Sequence, residues 1–320
     1  MIKVGIVGGA GYTGGEAIRI LIHHPLAQLV WVNSTSSAGK PFYAVHSDLF
    51  GDTDMCFTAD FDWAAIDVAF LCVAHGDARK FMTANTIPSH VRIIDLSQDY
   101  RIEPSTDGFV YGLTEMNREK IKGAARVANP GCFATAMQLA LLPLADKGLI
   151  TNEVNISAVT GSTGAGQSLS TTSHFSWRAN NLSVYKAFEH QHLREVHQMI
   201  THTAADQTVN FIPYRGDFTR GILATVYTKF AGTIQEAYHI YSTFYATHPF
   251  THVSDTNIAL KQVVNTNKCL IYLEKHGDNL MIISEIDNLL KGASGQAVEN
   301  MNLMFSIDQT AGLQLKSQGF

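Results

Sequence analysis

The segment that most constrains the fold lies near the start of the chain, where an apolar strand meets a cluster of glycines. Lys3–Val7 has the composition of a buried strand, and a helix with one apolar face ends before Pro25. The chain between them reads Gly8-Gly9-Ala10-Gly11-Tyr12-Thr13-Gly14, which contains the spacing GxGxxG. Such a turn brings backbone close to a pyrophosphate and aims a helix N-terminus at it. A plain βα turn is the alternative, but the flanking elements predict dinucleotide binding.

Alternating strands and helices continue through the first half. Apolar runs at 29–32, 68–73 and 91–95 predict strands, and 77–83 predicts a helix. This alternation indicates a parallel sheet with ligands at the carboxyl ends of its strands. His75 and Arg101 follow two such ends. His75 would line the cofactor or cap the next helix, whereas Arg101 would contact an anion or form a surface ion pair with Asp99 or Glu103.

The residues after the second strand predict which dinucleotide binds. The strand is followed by Asn33-Ser34-Thr35-Ser36-Ser37 and Lys40, and no acidic residue lies between Glu16 and Asp48. An NAD site normally places a carboxylate here for the ribose 2′-hydroxyl. Hydroxyl groups and a lysine instead favour a 2′-phosphate, so the sequence predicts NADP.

A cysteine stands where the next helix begins. The chain reads Asn129-Pro130-Gly131-Cys132, and an apolar run of helical density follows from Ala134. If Asn129 is the cap and Pro130 the first helical residue, the thiol lies at the positive end of the helix dipole, which favours the thiolate. The alternative is a small packed residue. The chain has four cysteines without CxxC spacing, which indicates reduced thiols.

The second half has a different pattern. Strands are predicted at 152–160, 208–214, 221–230, 260–264, 269–275 and 279–286, and helices at 192–205, 234–246 and 292–305. Close connections between the strands indicate an antiparallel sheet. The predicted fold is α/β. It has a Rossmann-type dinucleotide-binding domain over 1–131 and 292–320, and an α+β domain with a mainly antiparallel sheet over 132–291 for catalysis and oligomerisation.

Two clusters in this half could serve the cysteine. The loop Gly161-Ser162-Thr163-Gly164-Ala165-Gly166 can present backbone N–H groups to an anion, or be a flexible loop. The run His190-Gln191-His192-Leu193-Arg194-Glu195 could supply a proton-transfer imidazole, ligate zinc together with His174 or His197, or simply begin a solvated helix. A thiolate, a nicotinamide cofactor and an imidazole together suit the interconversion of an aldehyde and an activated acyl group.

Six segments in order give the chain a family resemblance. Four of them are the glycine cluster at 8–14, the cysteine segment, the Gly-Ala-Gly loop and the histidine pair; the other two are Asp95-Leu96-Ser97-Gln98-Asp99-Tyr100-Arg101 and Asp287-Asn288-Leu289-Leu290-Lys291-Gly292-Ala293-Ser294-Gly295-Gln296-Ala297. Over essentially its whole length the chain resembles the N-acetyl-gamma-glutamyl-phosphate reductases of arginine biosynthesis, which are related to aspartate-semialdehyde dehydrogenases.

The resemblance implies a mechanism and residue roles. Cys132 would attack an acyl phosphate and release phosphate, NADPH would reduce the thioester, and N-acyl-glutamate semialdehyde would form. His190 would be the acid/base, with His192 as a substrate contact or second candidate, and Arg101 would hold the phosphate. Further substrate contacts would be Asn129 and Arg194, and further cofactor contacts would be His75, Gly164 and Asn288.

The chain departs from the family pattern near the acyl end of the substrate. Phe133-Ala134 replaces Tyr-Pro, and arginines are lost at Gln167 and Gln191. Arg194 or Arg178 could replace them. The resemblance implies acetyl as the acyl group, and these departures leave succinyl as the alternative. Two other functions stay open, namely a reductase of aspartyl phosphate or carrier-bound aminoadipyl phosphate and a non-catalytic dinucleotide-binding regulator.

Composition narrows the partners. Hydrophobic residues make up 46% of the chain and the net charge is −5, which gives no reason to expect nucleic acid or an anionic membrane as partner. No apolar run is long enough to span a bilayer. Met1–Val7 enters a strand directly and leaves no room for a signal peptide, so we expect a cytoplasmic enzyme. The family resemblance implies a homo-oligomer, either a dimer or a tetramer.

Overall fold

The computed structural model describes residues 1–203 and 207–319. The chain divides into two compact units, here called unit 1 (Met1–Pro130 and Ala293–Gln314) and unit 2 (Gly131–Gly292 and Leu315–Phe320). The strands, in chain order, are β1 Ile2–Val7, β2 Ala27–Asn33, β3 Val68–Leu71, β4 Arg92–Asp95, β5 Val110–Tyr111, β6 Arg126–Ala128, β7 Val154–Thr160, β8 Ser183–Val184, β9 Val209–Arg215, β10 Ile222–Lys229, β11 Thr251–Ser254, β12 Cys269–His276 and β13 Asn279–Ile286. The helices are α1 Tyr12–Leu21, α2 Asp77–Ala84, α3 Thr114–Ile121, α4 Cys132–Asp146, α5 Phe175–Arg178, α6 Leu193–Thr203, α7 Ile234–Tyr245 and α8 Gly295–Met304.

Unit 1 is built on a parallel sheet of six strands in the order β2-β1-β3-β4-β6-β5. The predicted strands near 3–7, 29–32, 68–73 and 91–95 and the predicted parallel arrangement are confirmed. β5 and β6 were not predicted, because runs of two and three residues are too short to show a periodicity. Helix α3 was missed because its sequence, TEMNREKI, carries few apolar residues.

Helix α8, which lies within the predicted helical segment 292–305, packs within unit 1 against α1, α3 and β4. Its polar side chains are buried and hydrogen-bonded. Thr114 donates its hydroxyl to Glu299, and the amide of Asn300 donates to the Gly112 carbonyl. The chain enters α8 through a π-helical turn at Leu290–Ser294.

Unit 2 is built on a seven-stranded sheet in the order β11-β12-β13-β10-β7-β9-β8. Neighbours are antiparallel except β11 with β12 and β7 with β9, so the predicted mainly antiparallel sheet is confirmed. The predicted helices near 192–205 and 234–246 are present as α6 and α7, although the predicted end of the first lies outside the described residues. The strands β8 and β11 were not predicted.

The predicted strand at 260–264 is wrong. Leu260–Gln262 forms a single 3₁₀ turn in which the Gln262 side-chain oxygen accepts the N–H of Ala259 at 2.7 Å. Asn265 then takes a positive φ of 72°, which ends any extended conformation. The apolar Val263 and Val264 that suggested a strand are buried by this turn instead.

Helix α4 is the centre of unit 2, where it packs against β10, β13, α6 and α7. Pro143 lies inside it and has no N–H to give to the carbonyl of Leu139. The hydroxyl of Tyr245 donates to that carbonyl at 2.6 Å, and the hydroxyl of Tyr241 donates to Ala140 at 2.5 Å. Two tyrosines of α7 therefore satisfy carbonyls in the turn that precedes the proline.

Replacing Tyr245 with phenylalanine should destabilise the protein by about 1–3 kcal/mol, because a buried carbonyl would lose its donor. Denaturant unfolding measures the change. Tyr43→Phe is the matched control, since no hydrogen bond to the Tyr43 hydroxyl is found among the described residues. Equal stability of the two variants would contradict the role given to Tyr245.

Candidate active site

A cavity of about 540 Å³ lies at the carboxyl end of β1 in unit 1. Its wall contains six of the predicted cofactor contacts: Gly8, Ala10, Gly11, Ser34, Thr35 and Ser36. It also contains Asp77 from the start of α2. Because Asp77 is distant from β2 in the sequence, its carboxylate was not expected near the end of that strand. The predicted contacts Gly9, Tyr12, Thr13 and Gly14 belong to the same turn without being part of this wall.

The turn beside the cavity requires glycine. Gly8 has a φ of 82°, and a Cβ on Gly9 would lie 2.0 Å from Val32 Cγ1. A Cβ on Gly14 would lie 2.6 Å from the Cα of Gly9. No side chain caps the N-terminus of α1, whose N-cap is Gly11. Backbone thus approaches closely and presents N–H groups, so the turn fits a dinucleotide pyrophosphate.

For both His75 and Arg101 the structure removes one of the two alternatives that the sequence left open. His75 is exposed and accepts the N–H of Gln98 at 3.2 Å; it does not cap α2, because Gly76 is the N-cap. Arg101 is buried and donates to the carbonyl of Leu96 at 2.9 Å, so it is not a surface side chain. Arg101 is consequently held in place inside unit 1.

Asn129 is buried in unit 1, and both ends of its side-chain amide form hydrogen bonds. Its amide donates to Ala293 O at 3.0 Å, and its side-chain oxygen accepts from Asn300 at 3.1 Å. The predicted cap is therefore wrong, since this side chain is engaged elsewhere. Helix α4 starts two residues later than predicted, with Gly131 as N-cap and Cys132 as its first residue.

Cys132 is partly exposed at the start of α4, where unpaired backbone N–H groups and the helix dipole favour a negative sulfur. Two glycines allow close packing around it. A Cβ on Gly292 would lie 2.8 Å from the Cβ of Cys132, and one on Gly131 would lie 2.4 Å from His192 Nε2. Glu195 accepts the N–H of Gly131 at 3.0 Å. The sequence therefore brings the second histidine of the pair and Glu195 to the residue before the cysteine.

His190 is packed in an aromatic pocket of unit 2. Its ring centroid lies 5.3 Å from Phe133, 5.8 Å from Tyr185 and 4.7 Å from His192. Its Nδ1 accepts the N–H of His192 at 3.2 Å, so the neutral ring carries its proton on Nε2. Burial, followed by the charges of Lys186 and Arg215, lowers the pKa of His190 to about 4. His190 is therefore a neutral imidazole at physiological pH.

Tyr185 and Arg215 belong to the same cluster and were missed. Burial, followed by the negative charge of Cys132, raises the pKa of Tyr185 to about 12. The Arg215 guanidinium carbon lies 4.5 Å from the centroid of the Tyr185 ring. Neither residue belongs to a motif that reasoning from sequence singled out. The only signal was the place of Tyr185, five residues before the histidine pair.

Asn288 and Arg178 hold loops of unit 2. Asn288 accepts the N–H of Gly221 at 2.7 Å and donates to Thr163 Oγ1 at 3.0 Å, which fixes the loop that contains Gly164. Arg178 donates to three backbone carbonyls and one hydroxyl, belonging to Thr172, Asn181, Arg215 and Ser183. The expectation that Arg178 replaces a lost substrate arginine is therefore wrong. Arg194 is exposed on α6.

Metal sites and membrane-spanning helices are two further features to consider. Within residues 1–203 and 207–319, no three His, Cys, Asp or Glu side chains converge as metal ligands would. None of the described helices combines the length and the apolar character that a bilayer crossing needs.

Comparisons with known proteins agree with this division of the chain. Residues 3–124 match the family model "Semialdehyde dehydrogenase, NAD binding domain", and residues 132–288 match "Semialdehyde dehydrogenase, dimerisation domain". The chain is 56% identical to the N-acetyl-gamma-glutamyl-phosphate reductase of Bacteroides thetaiotaomicron and 54% identical to that of Christiangramia forsetii, in both cases over 100% of each chain.

Solved structures show the same fold at low identity. Aspartate semialdehyde dehydrogenase II from Vibrio cholerae has a TM-score of 0.73 at 17% identity and covers 96% of this chain and 99% of its own. The enzyme with NADP from Candida albicans has a TM-score of 0.70 at 14% identity, with 96% and 98% covered.

The neutral state of His190 can be checked by its titration. Because the folded protein should protonate this ring near pH 4 and the unfolded chain near 6.5, the unfolded state binds more protons between these values. The free energy of unfolding should therefore fall as the pH falls through that window. Proton NMR of the ring and unfolding at several pH values measure both effects. The control is His90→Gln, which changes an exposed histidine. A His190 ring that titrates near pH 6.5 would contradict the assignment. So would a free energy of unfolding that depends on pH as steeply in His190→Gln as in His90→Gln.

Proposed function

The chain belongs to the N-acetyl-gamma-glutamyl-phosphate reductase family, and we propose that Cys132 carries its reaction. The enzyme is an oxidoreductase of arginine biosynthesis that converts an N-acyl-glutamyl 5-phosphate to the 5-semialdehyde and releases phosphate. Acetyl is the acyl group in the relatives' names, and we assign it here. The observation that carries the proposal is that Cys132 is partly exposed at the start of a helix, with Gly131 and Gly292 packed close to it.

The cofactor we propose is NADPH, held by the glycine turn after β1. When bound, it supplies the hydride that reduces the acyl group. The hydroxyl groups of Ser34, Thr35 and Ser36 would meet the 2′-phosphate, because they line the cavity directly after β2. In sequence no carboxylate directly follows β2 to bind a ribose 2′-hydroxyl, and Asp77, the carboxylate in the cavity wall, comes from the start of α2.

The first chemical step uses the thiolate. The Cys132 sulfur attacks the acyl carbon, the carbon–oxygen bond to phosphate breaks, and a thioester remains on the enzyme. N–H groups at the start of α4 stabilise the sulfur anion before attack and again when the sulfur leaves. Gly131 and Gly292 let the His192 ring and the Cys132 side chain approach the backbone closely, since a Cβ at either position would overlap them.

His192 is the residue we assign to proton transfer, in place of His190. Its Nε2 lies against the backbone of Gly131, next to Cys132, and Glu195 binds that same residue. His190 has a pKa of about 4, too low for an imidazole that must exchange a proton near neutral pH. His190 instead accepts the His192 N–H and packs against its ring, so it positions His192.

Arg101 remains the candidate for the leaving phosphate. It is buried and oriented by the Leu96 carbonyl, and a guanidinium ordered in this way suits a phosphate dianion. Asn129 and Asn288 act through the backbone they hold, because both ends of each amide contact protein atoms.

We further propose that unit 1 is the cofactor domain and unit 2 the catalytic domain; this differs from the predicted ranges 1–131 with 292–320 and 132–291 mainly at the C-terminal end, where residues 315–319 belong to unit 2. A second copy would pack on the open face of the unit 2 sheet, since the dimerisation family model covers it. Apolar side chains on that face, among them Leu223, Leu270 and Ile283, are only partly buried. Cytoplasmic location is supported by the thiols, because no disulfide joins the four cysteines, all of which the structure describes.

The assignment of the histidines is tested by paired variants. Cys132→Ser should abolish turnover, and His192→Asn should lower kcat by about 10²- to 10⁴-fold because it removes the proton carrier. His190→Asn should lower kcat by a smaller factor. Cys56→Ser, which changes an exposed cysteine, should leave kcat unchanged. Phosphate-dependent oxidation of N-acetyl-glutamate semialdehyde gives the rates. A larger loss in His190→Asn than in His192→Asn would reverse the assignment.

Cofactor preference has its own test. The Michaelis constant for NADPH should be lower than that for NADH, and Ser34→Asp should raise the NADPH constant by about tenfold or more because a carboxylate repels a 2′-phosphate. Exposed Ser47→Asp is the matched control. Preference of the wild type for NADH would contradict the proposal.

The open sheet face predicts how the copies associate. Ile283→Lys should shift the enzyme toward monomers in sedimentation velocity, because a charge would be buried between two sheets. Leu26→Lys, which changes a 44% exposed residue of unit 1, should leave association unchanged. Unaltered association of Ile283→Lys would place the interface elsewhere.

A further inference from the structure

Arg215 ends strand β9 with a buried donor that the protein does not satisfy. The side chain is partly buried, and its Nε is buried without a hydrogen-bond partner in the part of the chain that the structure describes. A buried N–H of a charged group that lacks an acceptor is costly. The donor therefore points to an acceptor that binds from outside the protein.

Arg215 lies within the catalytic cluster of unit 2. Its guanidinium carbon is 4.5 Å from the centroid of the Tyr185 ring, and that ring is 5.8 Å from His190. The charge of Cys132 raises the pKa of Tyr185, and the charge of Arg215 lowers that of His190, so all four side chains interact. A ligand that reached Arg215 would lie beside the reacting groups.

The local charge selects an anion. Lys186 also lowers the pKa of His190. Burial, followed by the charge of Arg215, lowers the pKa of Arg178, while Asp217 raises it. The nitrogens of Arg178 are occupied, and one of them binds the carbonyl of Arg215, which fixes the backbone there. The backbone of Arg215 is thus held in place, and its Nε–H is the donor that can bind a ligand. Its planar fork matches a carboxylate.

We propose that Arg215 binds a carboxylate of the substrate's N-acyl-glutamyl portion, a role that rests on the proposed reductase function. Two carboxylates fit this chemistry. One is the α-carboxylate of the glutamyl group, and the other is the end of a dicarboxylic N-acyl group such as succinyl. Arg215 supplies a cation beside Tyr185 and His190.

Calorimetric titration of the full-length enzyme tests the proposal. The probes are N-acetyl-L-glutamate and N-succinyl-L-glutamate, which carry the same glutamyl group and differ in one carboxylate. The neutral variants Arg215→Gln and Arg215→Met are expected to bind at least one probe about tenfold or more weaker, since a charge-assisted bond is lost. Arg215→Lys should restore part of the affinity. Exposed Arg126→Gln in unit 1 is the matched control and should bind as the wild type does.

The pattern of loss identifies the ligand group. Weakening of both probes assigns a carboxylate of the shared glutamyl group, and weakening of the succinyl probe alone assigns the acyl carboxylate; either result supports the proposal. Wild-type affinity for both probes in a folded neutral variant overturns it. Failure of wild type to bind either probe, or failure of both neutral variants to fold, overturns it as well.

Turnover separates this proposal from the proposed function. The substrates for this assay are N-acetyl- and N-succinyl-glutamate 5-semialdehyde, which are oxidised in the presence of phosphate. Arg215→Gln and Arg215→Met should raise KM and change kcat much less. A fall in kcat at constant KM would contradict substrate binding by Arg215. A wild-type enzyme that binds the probes but oxidises neither semialdehyde would refute the reductase function. The calorimetric titrations would then still test whether Arg215 binds a carboxylate.

Discussion

The active site depends on the point at which helix α4 begins. Because Gly131 is the N-cap and Cys132 the first helical residue, the sulfur lies among backbone N–H groups that have no partner inside the helix. Those groups stabilise a thiolate, while the N–H of the N-cap residue Gly131 is itself bound by Glu195. Gly131 and Gly292 then decide what else can approach, since a Cβ on either would occupy the space taken by His192 or by Cys132 itself. One helix start thus sets both the charge of the nucleophile and the room around it.

The same helix is the core of unit 2, which ties the nucleophile to the stability of the fold. Pro143 removes one backbone donor, and two tyrosine hydroxyls from α7 satisfy carbonyls in the preceding turn. Around the first turn, polar contacts are equally specific. Glu195 accepts the Gly131 N–H, and the Gln138 amide donates to the carbonyl of Glu195. Helix α6 therefore brings the histidine segment to the cysteine through hydrogen bonds that apolar packing alone would not impose.

Sequence reasoning succeeded where a pattern has one physical cause. The glycine turn after β1 and the parallel sheet were predictable, because a positive φ at Gly8 and close packing at Gly9 and Gly14 each need glycine. The helix that follows Cys132 was predictable, but its cap was not, since the contacts of Asn129 with Ala293 and Asn300 come from residues more than 160 positions away. Tyr185 and Arg215 were missed for the same reason. Their place beside His190 follows from the pairing of β8 with β9, which neither periodicity nor spacing reveals.

The central claim is that the acyl group passes through a thioester on Cys132, and it can be observed directly. The enzyme would be mixed with the acyl phosphate in the absence of NADPH, quenched in acid, digested, and analysed by mass spectrometry. We predict an acyl adduct on the peptide that contains Cys132, released by hydroxylamine and absent from Cys132→Ser. Full turnover without any such adduct, or an adduct confined to another residue, would contradict the account.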